Sequence, residues 1–372
     1  MDFAFTPEHE ELRQTIRRFL QDRSPETAVR RTMATEQGFE RETWQALAEQ
    51  LGLPGLLVPE SLGGTGLGPV ELAIAFEEMG RALLCAPMLS TGVMAVATLR
   101  EAARDEVQHE LLPAIASGQK VVAVAWAEPE GVWEPQDVRL KASRSGKGWT
   151  LSGSKTAVID GHTADELLVV ARASKNLSLF RLPGEADGVR RELLPTLDLT
   201  RKLARITFDK ARAELIARAD DVTEPLTRAF YLTLVALAAE QTGGAQFCLE
   251  MSTQHAKTRW QFGRPIGSFQ AIKHRCADML VAVEFAKSAA YHAAFRAAEH
   301  DAAELPAAAR MAKSYCSEAF FQVANDTIQV HGGMGFTWEH PAHLYFKRAK
   351  SSALLFGDPV HHRQQLAHLI GV

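Results

Sequence analysis

The order of hydrophobic periodicities along the chain is the strongest constraint on its fold. Residues 1–118 follow a helical pattern that begins at Thr6 and Pro7, two residue types that suit the start of a helix. Residues 119–220 contain short apolar runs separated by glycine, asparagine, aspartate or proline, as in antiparallel strands. The helical period returns over residues 221–372. The sequence therefore predicts the α+β class, with an N-terminal all-α domain, a middle antiparallel β domain and a C-terminal four-helix bundle.

Composition and charge exclude several classes of protein. The chain has 372 residues and a formal net charge of −4, and its dispersed lysines and arginines argue against a nucleic-acid partner. No apolar segment approaches the length of a membrane-spanning helix, and the N-terminus has no basic stretch before an apolar run. The cysteines are isolated, which predicts free thiols in a reducing compartment and no metal site. We therefore expect a cytoplasmic protein without membrane insertion.

Two segments in the last third of the chain carry the pattern of a ligand site. Residues 259–272 read RWQFGRPIGSFQAI, and residues 329–337 read QVHGGMGFT. Each combines a cation or an imidazole with amide side chains and closely spaced glycines. Glycines let the backbone approach a diphosphate, and the Arg259 guanidinium offers paired donors to phosphate oxygens. Taken singly, Arg259 could also be an exposed cation near a helix end, and Gly332 with Gly333 could end a helix.

Together, the two segments resemble the flavin-binding segments of the acyl-CoA dehydrogenases. The α, β, α order also matches that family, in which the flavin lies between the middle barrel and the final bundle. The resemblance implies that FAD is the cofactor, that Arg259 pairs with its diphosphate and that Phe262 packs near its adenosine. In the family this segment reaches the flavin of a neighbouring subunit, so an oligomer is expected. The remaining cofactor contacts implied in the two segments are Gln261, Gln270, Gln329, Gly332 and Gly333.

Two segments of the middle domain depart from the family pattern beside the flavin ring. Where the family has Thr-Glu-Pro, this chain reads WAEP over residues 126–129, so a hydroxyl partner is absent. Where the family has Lys-x-Trp-Ile-Thr, residues 155–159 read KTAVI and lack both the indole and the hydroxyl. We expect an isoalloxazine environment that is less polar than usual, or one that another chain completes. The positions that the resemblance places beside the ring are Trp126, Ala127, Val158 and Ile159.

The catalytic base is the other departure from the family. Removing the proton alpha to a thioester carbonyl requires a nearby carboxylate whose pKa is raised by desolvation. Many members place this glutamate before a glycine in a Tyr-Glu-Gly-Thr segment, where this chain has Phe356, and isovaleryl-type and long-chain members take it from a position that matches Thr233. Asp358 is the nearest carboxylate and a candidate base, although an aspartate before Pro359 also suits a turn or a cap. Glu240 is a weaker candidate, because an ion pair or helix-end contact explains it.

These observations leave three hypotheses. The first is an FAD-dependent acyl-CoA dehydrogenase that introduces an α,β double bond into an acyl-CoA substrate, passes electrons to an electron-transfer flavoprotein and assembles as a homodimer or homotetramer. The second is one subunit of a heterotetramer with another family member, as found among members acting on steroid side-chain CoA esters, whose partner supplies the base or part of the flavin site. The third is a non-catalytic assembly scaffold. The acyl group stays open, since the family accepts straight, branched, aromatic and steroid chains.

Overall fold

The computed structural model describes residues 5–131, 133–146, 148–299 and 302–372. Its elements follow the predicted order, with helices up to Ala116, strands from Val122 to Leu215 and helices from Thr223 to Ile370, apart from a two-stranded hairpin after Thr258. The α+β class and the C-terminal helical region are therefore confirmed. The helices are α1 (Pro7–Arg23), α2 (Glu26–Met33), α3 (Arg41–Leu51), α4 (Pro69–Arg81), α5 (Val96–Ala102), α6 (Asp105–Ala116), α7 (Thr223–Thr258), α8 (Gln270–Ala298), α9 (Leu305–His331), α10 (Ala342–Leu354) and α11 (Pro359–Ile370).

The chain separates into two compact units. The first, called the helical unit, contains the chain up to Arg30, the segment Pro69–Leu84 and the segment Leu234–Val372. The second, called the barrel unit, contains the segments Arg31–Gly68 and Cys85–Thr233. The division into domains at residues 118 and 220 stays a prediction.

The predicted N-terminal amphipathic helix is confirmed in α1. The Thr6 hydroxyl accepts a hydrogen bond from the backbone N–H of His9, and Pro7 occupies the first helical turn. Ile16 and Leu20 lie on the buried face of the helix. The cap satisfies a backbone donor that has no partner within the helix, which is why the chain starts its helix here.

The strands of the barrel unit form one closed sheet. Its order is β1, β4, β2, β3, β7, β5, and β5 also pairs with β4, which closes the ring, while β6 pairs with β7. The pairings of β1 and β2 with β4 are parallel, and the sequence pattern did not indicate them. The strands are β1 (Val122–Ala125), β2 (Lys141–Ser145), β3 (Gly148–Ile159), β4 (Glu166–Ala173), β5 (Asn176–Pro183), β6 (Val189–Leu193) and β7 (Leu203–Leu215).

The helical unit is organised by a close contact between α4 and α7. A Cβ atom at Gly80 would lie 1.9 Å from the Glu240 carbonyl oxygen, and one at Gly243 would lie 1.7 Å from the Glu77 carbonyl oxygen. Only glycine allows two helix backbones to approach this closely. In the same unit α9 packs against α8, α10 and α11. The four predicted bundle helices are present, and α11 adds a fifth.

One negative observation concerns membranes. Among the described helices, none combines the length and the apolarity that crossing a bilayer requires.

We predict that Gly243→Ala destabilises the helical unit by about 3 kcal/mol, because the added methyl group overlaps the Glu77 carbonyl and pushes α4 from α7. Urea unfolding followed by circular dichroism measures the effect. The matched control is Gly148→Ala, since a Cβ atom there would come no nearer than 4.0 Å to its closest neighbour. Equal stability of the two variants would contradict the packing argument.

Candidate functional site

The first predicted ligand segment forms a tight hairpin directly after α7. The short strands Trp260–Gln261 and Arg264–Pro265 pair, and Phe262 and Gly263 form the two-residue turn with φ angles of 53° and 78°. Positive φ suits glycine but is uncommon for an aromatic residue. The Phe262 side chain is 89% exposed, so the two-residue turn holds an apolar ring in solvent. Such a ring is a contact surface for a ligand or for another chain.

The second predicted segment is a glycine turn at the end of α9. Gly332 has a φ angle of 60°, and a Cβ atom at Gly332 or Gly333 would meet nothing within 4 Å. Gln329, in the last turn of α9, is exposed. The backbone of the turn is therefore open to an incoming group.

The structure brings these two segments together at one corner of the helical unit. The His255 ring, in the last turn of α7, lies 4.2 Å from the ring of His331, the last residue of α9. The Arg259 backbone N–H donates to the His255 carbonyl, so the position of α7 also fixes the backbone of Arg259. We call this region, made of Arg259, the hairpin and the Gly332–Gly333 turn, the anion corner.

The donor set of the anion corner fits a diphosphate group. Among the residues that the structure describes, the Arg259 guanidinium has no carboxylate partner, although many other arginines of the chain are paired. An exposed, unpaired guanidinium beside open glycine backbone is suited to phosphate oxygens. Within the described parts of the chain, three amide side chains at the corner also have no hydrogen-bond partner and stay available as donors: Gln261, Gln270 and Gln329.

The two predicted flavin-ring segments also meet, within the barrel unit. The Thr156 backbone N–H donates to the Ala127 carbonyl at 2.9 Å, which joins the stretch after β1 to β3. The Trp126 indole N–H donates to the Trp133 carbonyl, and its ring lies 5.8 Å from the Phe230 ring. The four predicted ring contacts are all buried: Trp126, Ala127, Val158 and Ile159.

A buried ion pair, which sequence reasoning missed, links these two segments. The Lys155 ammonium group is fully buried and donates to the Trp126 carbonyl at 2.9 Å and to the Glu128 carboxylate at 2.8 Å. The same carboxylate accepts from the backbone N–H groups of Arg139 and Leu140. The sequence did contain a signal for it, since Glu128 and Lys155 each lie in an otherwise apolar strand pattern. A pair between them explains why both can be buried.

Burial and pairing act in opposite directions on these two groups. Burial lowers the pKa of Lys155 to about 8, although attraction to Glu128 acts the other way. Burial also acts to raise the pKa of Glu128, but the Lys155 ammonium and the two backbone donors outweigh it, and the pKa lies below its usual value. The Glu128 carboxylate is thus charged, and its hydrogen bonds hold the two segments together.

The candidate bases occupy four different environments. Asp358 is exposed, and its carboxylate accepts from the His361 backbone N–H at 2.8 Å, so it caps α11. The Glu240 carboxylate is buried and accepts from the Arg348 guanidinium at 2.9 Å. The Thr233 hydroxyl donates to a carbonyl of its own helix, and Phe356 is buried with a φ angle of 61°. Asp358 is the one candidate among these that is both acidic and exposed.

A second buried lysine supports the turn that carries Phe356. The Lys313 ammonium group donates to the carbonyls of Ala353 and Gly357 and to the Ser317 hydroxyl, at 3.0 to 3.1 Å. Burial lowers its pKa to about 7. The sequence did not reveal this role, because a lysine in an alanine-rich helix pattern is normally exposed.

Two family models match the chain. The model for the acyl-CoA dehydrogenase N-terminal domain matches residues 6–119, and the model for the C-terminal domain matches residues 226–370. The chain belongs to the acyl-CoA dehydrogenase family. Among curated members of this family, the acyl-CoA dehydrogenase IpdE2 of Mycobacterium tuberculosis is 35% identical over 355 residues, which cover 95% of this chain and 94% of that protein.

Solved structures of acyl-CoA dehydrogenases share the fold. The ChsE4-ChsE5 complex from Mycobacterium tuberculosis has a TM-score of 0.91 at 28% identity and covers 100% of this chain and 99% of that chain. A variant of the Tcur3481-Tcur3483 steroid ACAD has a TM-score of 0.88 at 31% identity, with 98% of each chain covered. The expected family, fold and enzyme class, an oxidoreductase of a flavoprotein family, are therefore confirmed.

We predict that Lys155→Met lowers the free energy of unfolding by about 3–5 kcal/mol, because it leaves the buried Glu128 carboxylate without its cation. Denaturant unfolding measures the loss. The control is Arg205→Met, which removes one side of an exposed pair with Glu192 in the same unit and costs less than about 1 kcal/mol. The double variant Lys155→Met with Glu128→Gln recovers part of the loss. A Lys155→Met protein as stable as the control would refute the role of the ion pair.

Proposed function

We propose that this chain binds FAD and takes part in the α,β-dehydrogenation of an acyl-CoA thioester. The observation that carries the proposal is the anion corner, where the unpaired Arg259 and the open Gly332–Gly333 turn lie at the adjoining ends of α7 and α9. FAD, when bound, supplies the hydride acceptor at its N5 position. An electron-transfer flavoprotein would be the electron acceptor.

Different residues of the chain bind different parts of FAD, according to their chemistry. Arg259 pairs with the diphosphate, because its planar guanidinium gives two parallel hydrogen bonds. Phe262 packs against the adenosine portion, where its ring leaves water. The amides of Gln261, Gln270 and Gln329 orient the same part of the cofactor. In the barrel unit, the buried apolar residues Trp126, Ala127, Val158 and Ile159 give an apolar surrounding to the isoalloxazine of a flavin whose diphosphate a neighbouring subunit holds.

Several exposed apolar side chains support an oligomer. Besides Phe262, the rings of Phe336 and Trp338 lie in solvent beside the glycine turn, and Leu280, Val281 and Phe285 are exposed on α8. Exposed apolar residues on this scale are typical of a contact surface. We propose assembly with a second copy of the chain or with another family member. Within this proposal the location is the cytoplasm, in keeping with four free cysteines.

A specific observation favours the heteromeric assembly as the second candidate. The two positions that match the family's bases hold Phe356 and Thr233, neither of which is an acid. The ChsE4-ChsE5 relative is a complex of two different chains, which supports a partner that supplies the base. In that case the substrate class is a steroid-derived acyl-CoA, in keeping with the steroid ACAD among the relatives.

We predict that Arg259→Ala weakens FAD binding by about 10- to 100-fold, because a charged hydrogen-bond donor to the diphosphate is lost. The flavin-to-chain ratio and the oligomeric mass of the purified protein measure the result. Lys257→Ala is the matched control, since it removes an exposed cation two residues away and leaves the ratio unchanged.

The same measurement separates the candidate functions. About one FAD per chain in the wild-type protein purified alone supports a self-contained enzyme. Little flavin alone, restored by co-expression with a second family member, supports a heteromeric subunit. An Arg259→Ala protein with unchanged flavin content and unchanged activity contradicts the proposed cofactor role of Arg259. A wild-type protein that holds no flavin, alone or co-expressed, supports a scaffold.

Asp358 is proposed as the catalytic base of the self-contained enzyme. We predict that Asp358→Asn keeps the α11 cap, because asparagine caps helices as well as aspartate, and slows flavin reduction by acyl-CoA about 10²- to 10⁴-fold. Stopped-flow absorbance of the flavin measures the rate. The control is Asp221→Asn, another aspartate that accepts a backbone hydrogen bond at a helix start. An unchanged rate of bleaching excludes Asp358 as the base.

A further inference from the structure

Three imidazole rings form a continuous stack inside the helical unit. The ring centroids of His255 and His331 are 4.2 Å apart, and those of His331 and His340 are 4.3 Å apart, with tilts of 30° and 45°. We call these three residues the imidazole stack. It joins the end of α7, the end of α9 and the segment before α10. The first of these elements leads into Arg259 and the second into Gly332, so the stack lies between the two halves of the anion corner.

Hydrogen bonds fix the orientation of two of the rings. The His331 Nδ1 atom lies 2.8 Å from the Thr327 carbonyl oxygen and therefore carries the proton of a neutral ring. The His340 Nδ1 atom accepts from the Ala342 backbone N–H at 3.2 Å, so this nitrogen is unprotonated. The unprotonated Nδ1 atom makes His340 a neutral imidazole, which contacts the His331 ring without charge repulsion.

The charged groups around the stack disfavour added protons. Arg259, directly after α7, acts on His255, and Glu26 of α2 and His343 of α10 act on His340. Next to the stack, Arg30 of α2 and Lys347 of α10 act on His343. Cations outnumber the single carboxylate, and that carboxylate already pairs with Arg30.

The titration of the rings follows from this environment. Burial lowers the pKa of all three rings, and for His340 burial together with the neighbouring histidines brings the pKa to about 4.

The stack does not have the geometry of a metal site. In the described parts of the chain, no group of three or more histidine, cysteine, aspartate or glutamate side chains is placed to hold a metal ion. The arrangement therefore calls for an explanation other than metal binding.

We propose that the imidazole stack is the positioning element of the anion corner: it fixes the separation of Arg259 from the Gly332–Gly333 turn, and it loosens when it takes up protons. The inference rests on the proposed function, since the positioned ligand is the FAD diphosphate. His331, the central ring, is the main positioning residue, because it touches both other rings and immediately precedes Gly332.

The direction of the pH effect follows from linkage. The rings titrate at lower pH in the folded protein than in the unfolded chain, where the value is 6.5. The unfolded or loosened state therefore binds protons first as the pH falls. The contribution of the stack is complete above about pH 6.5 and is lost progressively as the pH falls toward about 4.

The test measures FAD affinity of the full-length protein, with its co-expressed partner if one is required, by quenching of flavin fluorescence from about pH 7.5 to about pH 5. We expect wild-type affinity to fall at least about tenfold over this range. The variant His331→Phe with His340→Asn keeps an aromatic ring in the centre and an acceptor for Ala342, and its affinity should vary less than about threefold. His331→Ala should bind weakly at every pH, because the rings no longer touch.

Controls separate this inference from general instability and from the proposed function. His368→Asn, on the exposed surface of α11, should show the wild-type pH profile. If the double variant does not fold by circular dichroism, His340→Asn alone should still flatten the profile. An equal pH dependence in the wild type and the variants overturns the inference while FAD binding stands. A wild-type protein that binds no FAD at neutral pH, alone or co-expressed, overturns both.

Discussion

The contact between α4 and α7 is the constraint on which the helical unit depends. Gly80 and Gly243 let the two backbones touch, and this contact fixes the long helix that ends at the anion corner. It also buries carboxylates of α4, which must then be paired. Glu77 accepts from both the Arg13 guanidinium and the Tyr291 hydroxyl at 2.6 Å, which ties α1 and α8 to the same crossing. The two glycines at the crossing of α4 and α7 thus determine where the partners of the buried Glu77 carboxylate must lie.

Buried charge has a similar positioning role in the barrel unit. A pair such as Lys155 with Glu128 gains little stability over apolar residues of the same size, because both groups lose their hydration. What the pair provides is geometry, since its five hydrogen-bonded contacts have defined directions. The ion pair holds together two segments whose apolar side chains, among them Trp126 and Val158, are buried. Apolar packing alone would bury the two segments but would not fix which residue of one lies opposite which residue of the other.

The sequence predicted those features that depend on local chemistry. The start of α1 follows from Thr6 and Pro7, and the anion corner follows from arginine, amides and glycines in a recognisable order. It did not reveal the Lys155 pair, the Lys313 support or the imidazole stack, because each depends on residues that only the tertiary fold brings together. The helix-capping contact of Asp358 was one of two local alternatives, and a sequence pattern does not distinguish a cap from a base.

The exposed turn at Phe262 has a consequence for the life of the chain in the cell. The Phe262 ring, which is 89% exposed beside Trp260, and the exposed Phe336 ring make a newly synthesised chain prone to non-specific association until it assembles. A chain that is synthesised faster than it assembles would therefore aggregate or be degraded, so the rate of assembly limits how much folded protein accumulates.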